Sequence, residues 1–192
     1  MTNIQILLLC AGQGSRFDPT GRTSKLLAPL PLGGVVMGAA IDSLSAFPEH
    51  PLLAVIESSQ EQVKAYLSDR GVAWVEAPDA QLGMGYSIAA GVRASQEADG
   101  WLICLGDMPY IQSSTIAQIL SVAKAHPESI IAPSCDGRRG HPVWIPGIFK
   151  QDLLGLKKDE GPRHLLDRGP LVLINTTDRG IYQDIDTPAD LV

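Results

Sequence analysis

The feature that most constrains this chain is its first apolar run, Ile4 to Cys10, which breaks off into Ala11-Gly12-Gln13-Gly14-Ser15-Arg16. Seven residues are too few for a buried helix and the right length for a strand. A strand apolar on both faces belongs in the middle of a parallel sheet covered on each side. Similar runs recur along the chain: Leu52–Glu57, Val72–Ala77, Gly100–Pro109 ending in Gly106-Asp107, Ser129–Ser134 and His141–Ile145. Leu171–Thr176 and Ile181–Asp186 are two further predicted strands. Helical patterns separate them at Val35–Phe47, Ser58–Gly71, Gly83–Ala94, Ser113–His126, Ile148–Leu154 and Gly161–Asp167. Thr187 and Pro188 open a last helix as cap and first-turn proline. Strand alternating with helix is the signature of an α/β fold, three-layer α/β/α, with a mostly parallel sheet. No linker or repeat divides residues 1–192, so one domain is expected.

In such a sheet the ligand site lies beyond the carboxyl ends of the strands. Gly12 and Gly14 follow the first strand and let backbone N–H groups approach an oxyanion. Arg16 adds a permanent planar cation and Lys25 a second charge, with Arg22 between them. The mononucleotide loop G-x-x-x-x-G-K-[ST] is absent, and Phe17 stands at the third glycine of the dinucleotide pattern. A triphosphate suits this cluster. Asp107, at the end of the fourth strand, and Asp186, at the end of a later one, are hard oxygen donors of the kind that hold Mg²⁺. Gln81–Val92 is a glycine-rich helix start whose Gly83, Gly85 and Ser87 can face a nucleotide. Asp136–Ile145 carries a second basic cluster, Arg138 and Arg139, leading into Gly140, His141 and Pro142. Arg163 and His164 open a helix that can also hold an anion. Trp74, Trp101 and Trp144 are expected to be packing residues.

Composition narrows the class. A 45% hydrophobic and 19% charged chain is globular, and a net charge of −6 argues against nucleic acid or an anionic membrane as partner. Cys10, Cys104 and Cys135 form no metal or redox pair and suit a reducing cytoplasm. No apolar run reaches the ~20 residues of a membrane span. There is no G-x-S-x-G, and no histidine pairs with a serine or cysteine nucleophile.

Taken in order, "LLLCAGQGSRF…SKLL", "LGMGYSIAAGV", "LICLGDMPYI", "GRRGHPVWI", "DEGPRHLL" and "DIDTPADL" resemble the nucleotidyltransferases of molybdenum cofactor biosynthesis, and most of all the cytidylyltransferase branch. The resemblance implies a GT-A-like nucleotidyltransferase fold. It implies transfer of CMP from CTP to a phosphorylated molybdopterin-type cofactor, with Mg²⁺ and pyrophosphate release. Carried over to this chain, it makes Arg16, Lys25 and Asp107 catalytic and Asp107 and Asp186 the metal ligands. It assigns Cys10, Ala11, Gly12, Gly14, Ser15, Gly83, Gly85 and Ser87 to the nucleotide. Arg139, Gly140, His141, Pro142 and Arg163 go to the acceptor. A molybdoenzyme would receive the product. Guanylyltransferase relatives read Ala-Gly-Gly at the first loop and cytidylyltransferases Ala-Ala-Gly. Here Ala11 fits the second pattern and Cys10 departs from it. The loop "FDPTGRTSK" is longer than in close relatives. Transfer to a sugar phosphate, and a non-catalytic cofactor chaperone, are the competing expectations. A dinucleotide-dependent oxidoreductase is disfavoured by Phe17.

Overall fold

The computed structural model describes residues 3–158, 161, 165–166 and 168–191. The first four apolar runs form parallel strands β1 (Ile4–Leu9), β2 (Leu52–Ile56), β3 (Ala73–Glu76) and β4 (Gly100–Leu105), in the order β3-β2-β1-β4. Every residue of β1 is buried, as a central strand requires. The two-residue strand period divides its side chains between two cores. Ile4, Ile6 and Leu8 pack under α1 (Val36–Leu44), α2 (Glu61–Asp69) and α4 (Ser113–Ala125). Leu7 and Leu9 pack under α3 (Met84–Ala94) and α5 (Lys150–Leu154). These are the three layers the sequence predicts. Gly91 lets α3 settle onto the sheet: a Cβ there would lie 2.9 Å from both Leu7 and Val55.

Beyond β4 the sheet becomes mixed. β5 is Ile130–Cys135, β6 Arg138–Arg139, β7 Val143–Pro146 and β8 Leu171–Asn175. β7 runs antiparallel to β4 and to β5, while β8 runs parallel to β5. Trp101 and Trp144 are fully buried packing residues. Gly100 makes room for the second, since a Cβ there would stand 2.4 Å from the Trp144 ring. Trp74 departs from expectation. It lies 37% exposed on edge strand β3, with Lys64 Nζ 5.7 Å above its ring.

Two expected elements take another form. Ile181–Asp186 is no strand: a 3-10 turn over Arg179–Tyr182 leads into extended chain. Gly180 lies in that turn, its backbone so close to Tyr110 that a Cβ would stand 2.1 Å from the Tyr110 carbonyl oxygen. The last helix shrinks to a 3-10 turn over Pro188–Asp190, where Asp190 accepts hydrogen bonds from the Thr187 N–H and hydroxyl at 2.7 and 2.8 Å. The helix expected over Gly161–Asp167 falls mostly outside the described residues. No helix among the described residues is long and apolar enough to cross a membrane.

Candidate active site

β1 and β4 are neighbours, so the loops that leave their carboxyl ends meet. Between them lies a cavity of about 370 Å³. Ala11, Gly12, Gly14, Ser15, Gly83 and Ser87 line it, together with Arg16, Lys25, Asp107 and Asp186. Residues from four separate motifs thus converge in one place.

The charged groups engage one another. Lys25 is 8% exposed, and its Nζ bridges Asp107 Oδ2 at 2.5 Å and Asp186 Oδ1 at 3.3 Å. Arg16 Nη1 meets the other oxygen of Asp186 at 2.8 Å. Burial alone would lower the pKa of Lys25, but the charges and hydrogen bonds of Asp107 and Asp186 overcome it and raise it. Gly14, at φ +62°, lies against the lysine stem; a Cβ there would sit 3.4 Å from Lys25 Cγ. Gly12 differs, because a Cβ there would meet no protein atom within 4 Å. Its bareness faces open space.

Two nucleotide assignments are corrected. The Cys10 thiol does not reach the cavity. It continues the inward phase of Ile6 and Leu8, is 1% exposed and lies 3.4 Å from Met37 Sδ. Burial, reinforced by the charge of Asp107, pushes its pKa up. Gly85 is also buried, and its N–H is spent on the carbonyl of Lys158 at 2.9 Å.

A second cavity of about 390 Å³ adjoins the first, with Met84 and Leu105 in the walls of both. Arg138, Arg139, Gly140 and His141 line it. Pro142 does not; it is buried beside Leu44, Cys104 and Ile111. Arg163 lies outside the described residues. Arg22 does not join Arg16 and Lys25 in the first cavity. It lines a third hollow, against α2, with Glu57 and Glu61.

The long loop before Lys25 has an internal organiser. Asp18 accepts hydrogen bonds from the Thr20 N–H (2.8 Å) and hydroxyl (2.6 Å), the Arg22 N–H (3.0 Å) and the Thr23 N–H (2.8 Å). These bonds, those of Thr20 first, hold its pKa down at about 2.

Sequence reasoning missed Asp184 and Tyr182, which line the second cavity. Burial raises the pKa of Asp184, and the charges of Asp186 and Asp107 add to the effect. The spacing of two in "DID" was the available signal for Asp184.

Residues 6–172 match the family model described as MobA-like NTP transferase domain. Purine catabolism protein PucB of Bacillus subtilis (strain 168) is 34% identical over 117 residues. That match covers 58% of this chain and 56% of PucB, little more than half the relative's length. Nicotine blue oxidoreductase of Paenarthrobacter nicotinovorans is 27% identical over 190 residues, 94% of this chain and 91% of that one. Among solved structures, Rv0371c from Mycobacterium tuberculosis H37Rv superposes with a TM-score of 0.81 at 25% identity, over 98% of this chain and 95% of its own. The manganese complex of Rv0371c superposes at 0.78 with 24% identity, over 98% and 96% of the two chains. With a family match running from β1 into β8, the chain belongs to the MobA-like NTP transferase family of nucleotidyltransferases.

Proposed function

We propose that residues 1–192 work as one domain that transfers CMP, rather than GMP, from a nucleoside triphosphate to a phosphorylated molybdopterin-type acceptor with release of pyrophosphate. The observation that carries this reading is the meeting of Arg16, Lys25, Asp107 and Asp186 beside the bare backbone of Gly12, next to a second cavity of similar size. The first cavity would take the triphosphate and the second the acceptor, and the two cavities share a wall.

The acceptor phosphate oxygen would attack the α-phosphorus from the second cavity. One P–O bond forms, the bond to the β-phosphate oxygen breaks, and pyrophosphate leaves with the electron pair. Such a step needs positioning and charge neutralisation more than covalent help. Arg16 and Lys25 would take up the charge of the triphosphate and of the leaving group. The acceptor phosphate is already an anion, so no strong general base is needed. The carboxylates of Asp107 and Asp186 are hard donors that fit Mg²⁺, which takes one or two carboxylates and fills its shell with phosphate oxygens and water. When bound, the ion would supply further neutralisation of phosphate charge. A divalent cation agrees with the manganese complex of Rv0371c. Reduced Cys10, Cys104 and Cys135 suit a cytoplasmic enzyme whose product passes to a molybdoenzyme.

A ligand that binds only the folded state raises its melting temperature. With Mg²⁺ present, CTP is expected to raise it more than GTP, ATP or UTP. Asp107→Ala and Lys25→Ala are each expected to lower pyrophosphate release by at least about 100-fold. Undiminished turnover in both variants would rule the reading out. The near-full-length similarity to a protein named an oxidoreductase supports a second reading. Stabilisation by NADH or NADPH, with none by any triphosphate, would put that reading first.

A further inference from the structure

The strap from Asp178 to Asp186 joins the two cavities, and Tyr182 stands at its middle. The strap is fastened at one end by the buried carboxylate of Asp178, which accepts from the Gln112 N–H at 2.9 Å and the Thr115 hydroxyl at 2.7 Å at the start of α4. Farther along, the Ile181 carbonyl accepts from the His141 N–H at 3.0 Å. The Ile185 N–H donates to the carbonyl of Asp107 at 2.8 Å. The strap ends at Asp186, in the charged centre.

Tyr182 grips the hairpin that carries the arginine pair. β5 turns into β6 through Asp136 and Gly137, at φ +51° and +75°, the left-handed pair that a two-residue hairpin demands. The Tyr182 hydroxyl sits across this turn. It accepts from the Cys135 N–H at 2.9 Å and shares its own hydrogen between the carbonyls of Cys135 and Arg138. Its ring carries the Arg138 guanidinium 4.6 Å from the centroid. Arg138 is an exposed residue, and a long exposed cation loses side-chain entropy when a ligand fixes it. Stacking on an aromatic face settles part of that cost beforehand.

We propose that Tyr182 is a positioning residue for the acceptor: it holds Arg138 and Arg139 at the second cavity to receive an anionic group, while Met84 and Leu105, the accessible apolar lining, meet the apolar body of the same molecule. The inference rests on the reading of the second cavity as the acceptor's place. It narrows the acceptor class to a phosphate ester with a substantial apolar or aromatic part, and it disfavours a fully hydroxylated sugar phosphate.

The test uses 4-methylumbelliferyl phosphate, a fluorescent aryl phosphate, titrated into the whole protein saturated with Mg²⁺ and CTP. Tyr182→Phe keeps the ring and removes the hydroxyl; Arg138→Ala removes the cation. Arg138→Ala is expected to weaken aryl phosphate binding by about tenfold, the scale of one hydrogen bond to a charged group, and Tyr182→Phe by about three- to tenfold, the scale of a neutral one. The affinity for CTP, set in the other cavity, is the internal reference. Equal loss of both affinities would mark Tyr182 as merely structural and overturn the proposal. So would aryl phosphate binding as tight in Tyr182→Phe as in the parent, or no binding by the parent. Selective loss with no turnover of any acceptor would uphold Tyr182 and remove the transferase reading. Turnover with unchanged acceptor KM in Tyr182→Phe would do the reverse.

Discussion

Two glycines show how one residue type serves opposite ends in this chain. Gly12 borders empty space, so Gly12→Ala is expected to fold with stability within about 0.5 kcal/mol of the parent. Its new methyl group would enter the first cavity, however, and under the proposed function triphosphate affinity should fall by at least about tenfold, read by calorimetry. Gly180 is packed against rigid backbone of Tyr110 and Ile111. Gly180→Ala should therefore cost about 3 kcal/mol in denaturant unfolding, because neither neighbour can yield. Little of this contrast is legible in sequence, where both read as loop glycines after or before a strand. Cys10 is the converse case. The two-residue period that buries Ile6 and Leu8 also turns Cys10 inward, so its exclusion from the cavity could have been read from the strand it ends.

Among the elements, the parallel strands were the most legible, since each is an apolar run bounded by turn residues, and β1 is buried throughout. Ile181–Asp186 misled because Ile181, Tyr182 and Ile185 have strand-favouring side chains. What decides its path is Asp178, whose partners Gln112 and Thr115 are more than sixty positions away. The loop between Phe17 and Ser24 looked like an unexplained insertion and is a structure built around one carboxylate. Asp18→Ala should release it: amide exchange at Thr20, Arg22 and Thr23 should quicken, and trypsin should cut after Arg22 faster than in the parent. The pH dependence follows from the same contacts. The folded-state pKa is depressed, so the loop's order is present above the ordinary carboxylate range and is lost as pH falls toward about 2. Unchanged exchange across that interval would show that the carboxylate does not organise the loop.

At the scale of the whole molecule, sequence named the charged residues that line the first cavity and could not pair them. Lys25 stands 82 positions from Asp107 and 161 from Asp186, and only the sheet order that sets β1 beside β4 brings them together. Asp178 fastens the far end of the strap that ends at Asp186. Asp178→Ala would strand the donors of Gln112, Thr115 and Gly180, cost about 2–4 kcal/mol, and weaken ligands in both cavities together. Calorimetric unfolding with parallel titrations of CTP and aryl phosphate would show it. The resting centre also has an electrical consequence. Arg16 and Lys25 against Asp107 and Asp186 make two positive and two negative groups that already satisfy one another. A bare divalent ion must compete with the lysine for its oxygens. A bare triphosphate must draw the cations off and leave two carboxylates facing each other. Under the proposed function, ion and nucleotide arriving as a complex would exchange partners with both. Their affinities would then be linked, and linkage is reciprocal. Titrating Mg²⁺ with and without CTP, and CTP with and without Mg²⁺, should return the same cooperativity factor, on the order of 5- to 150-fold. A factor near one would mean that the lysine bridge offers the ion no competition.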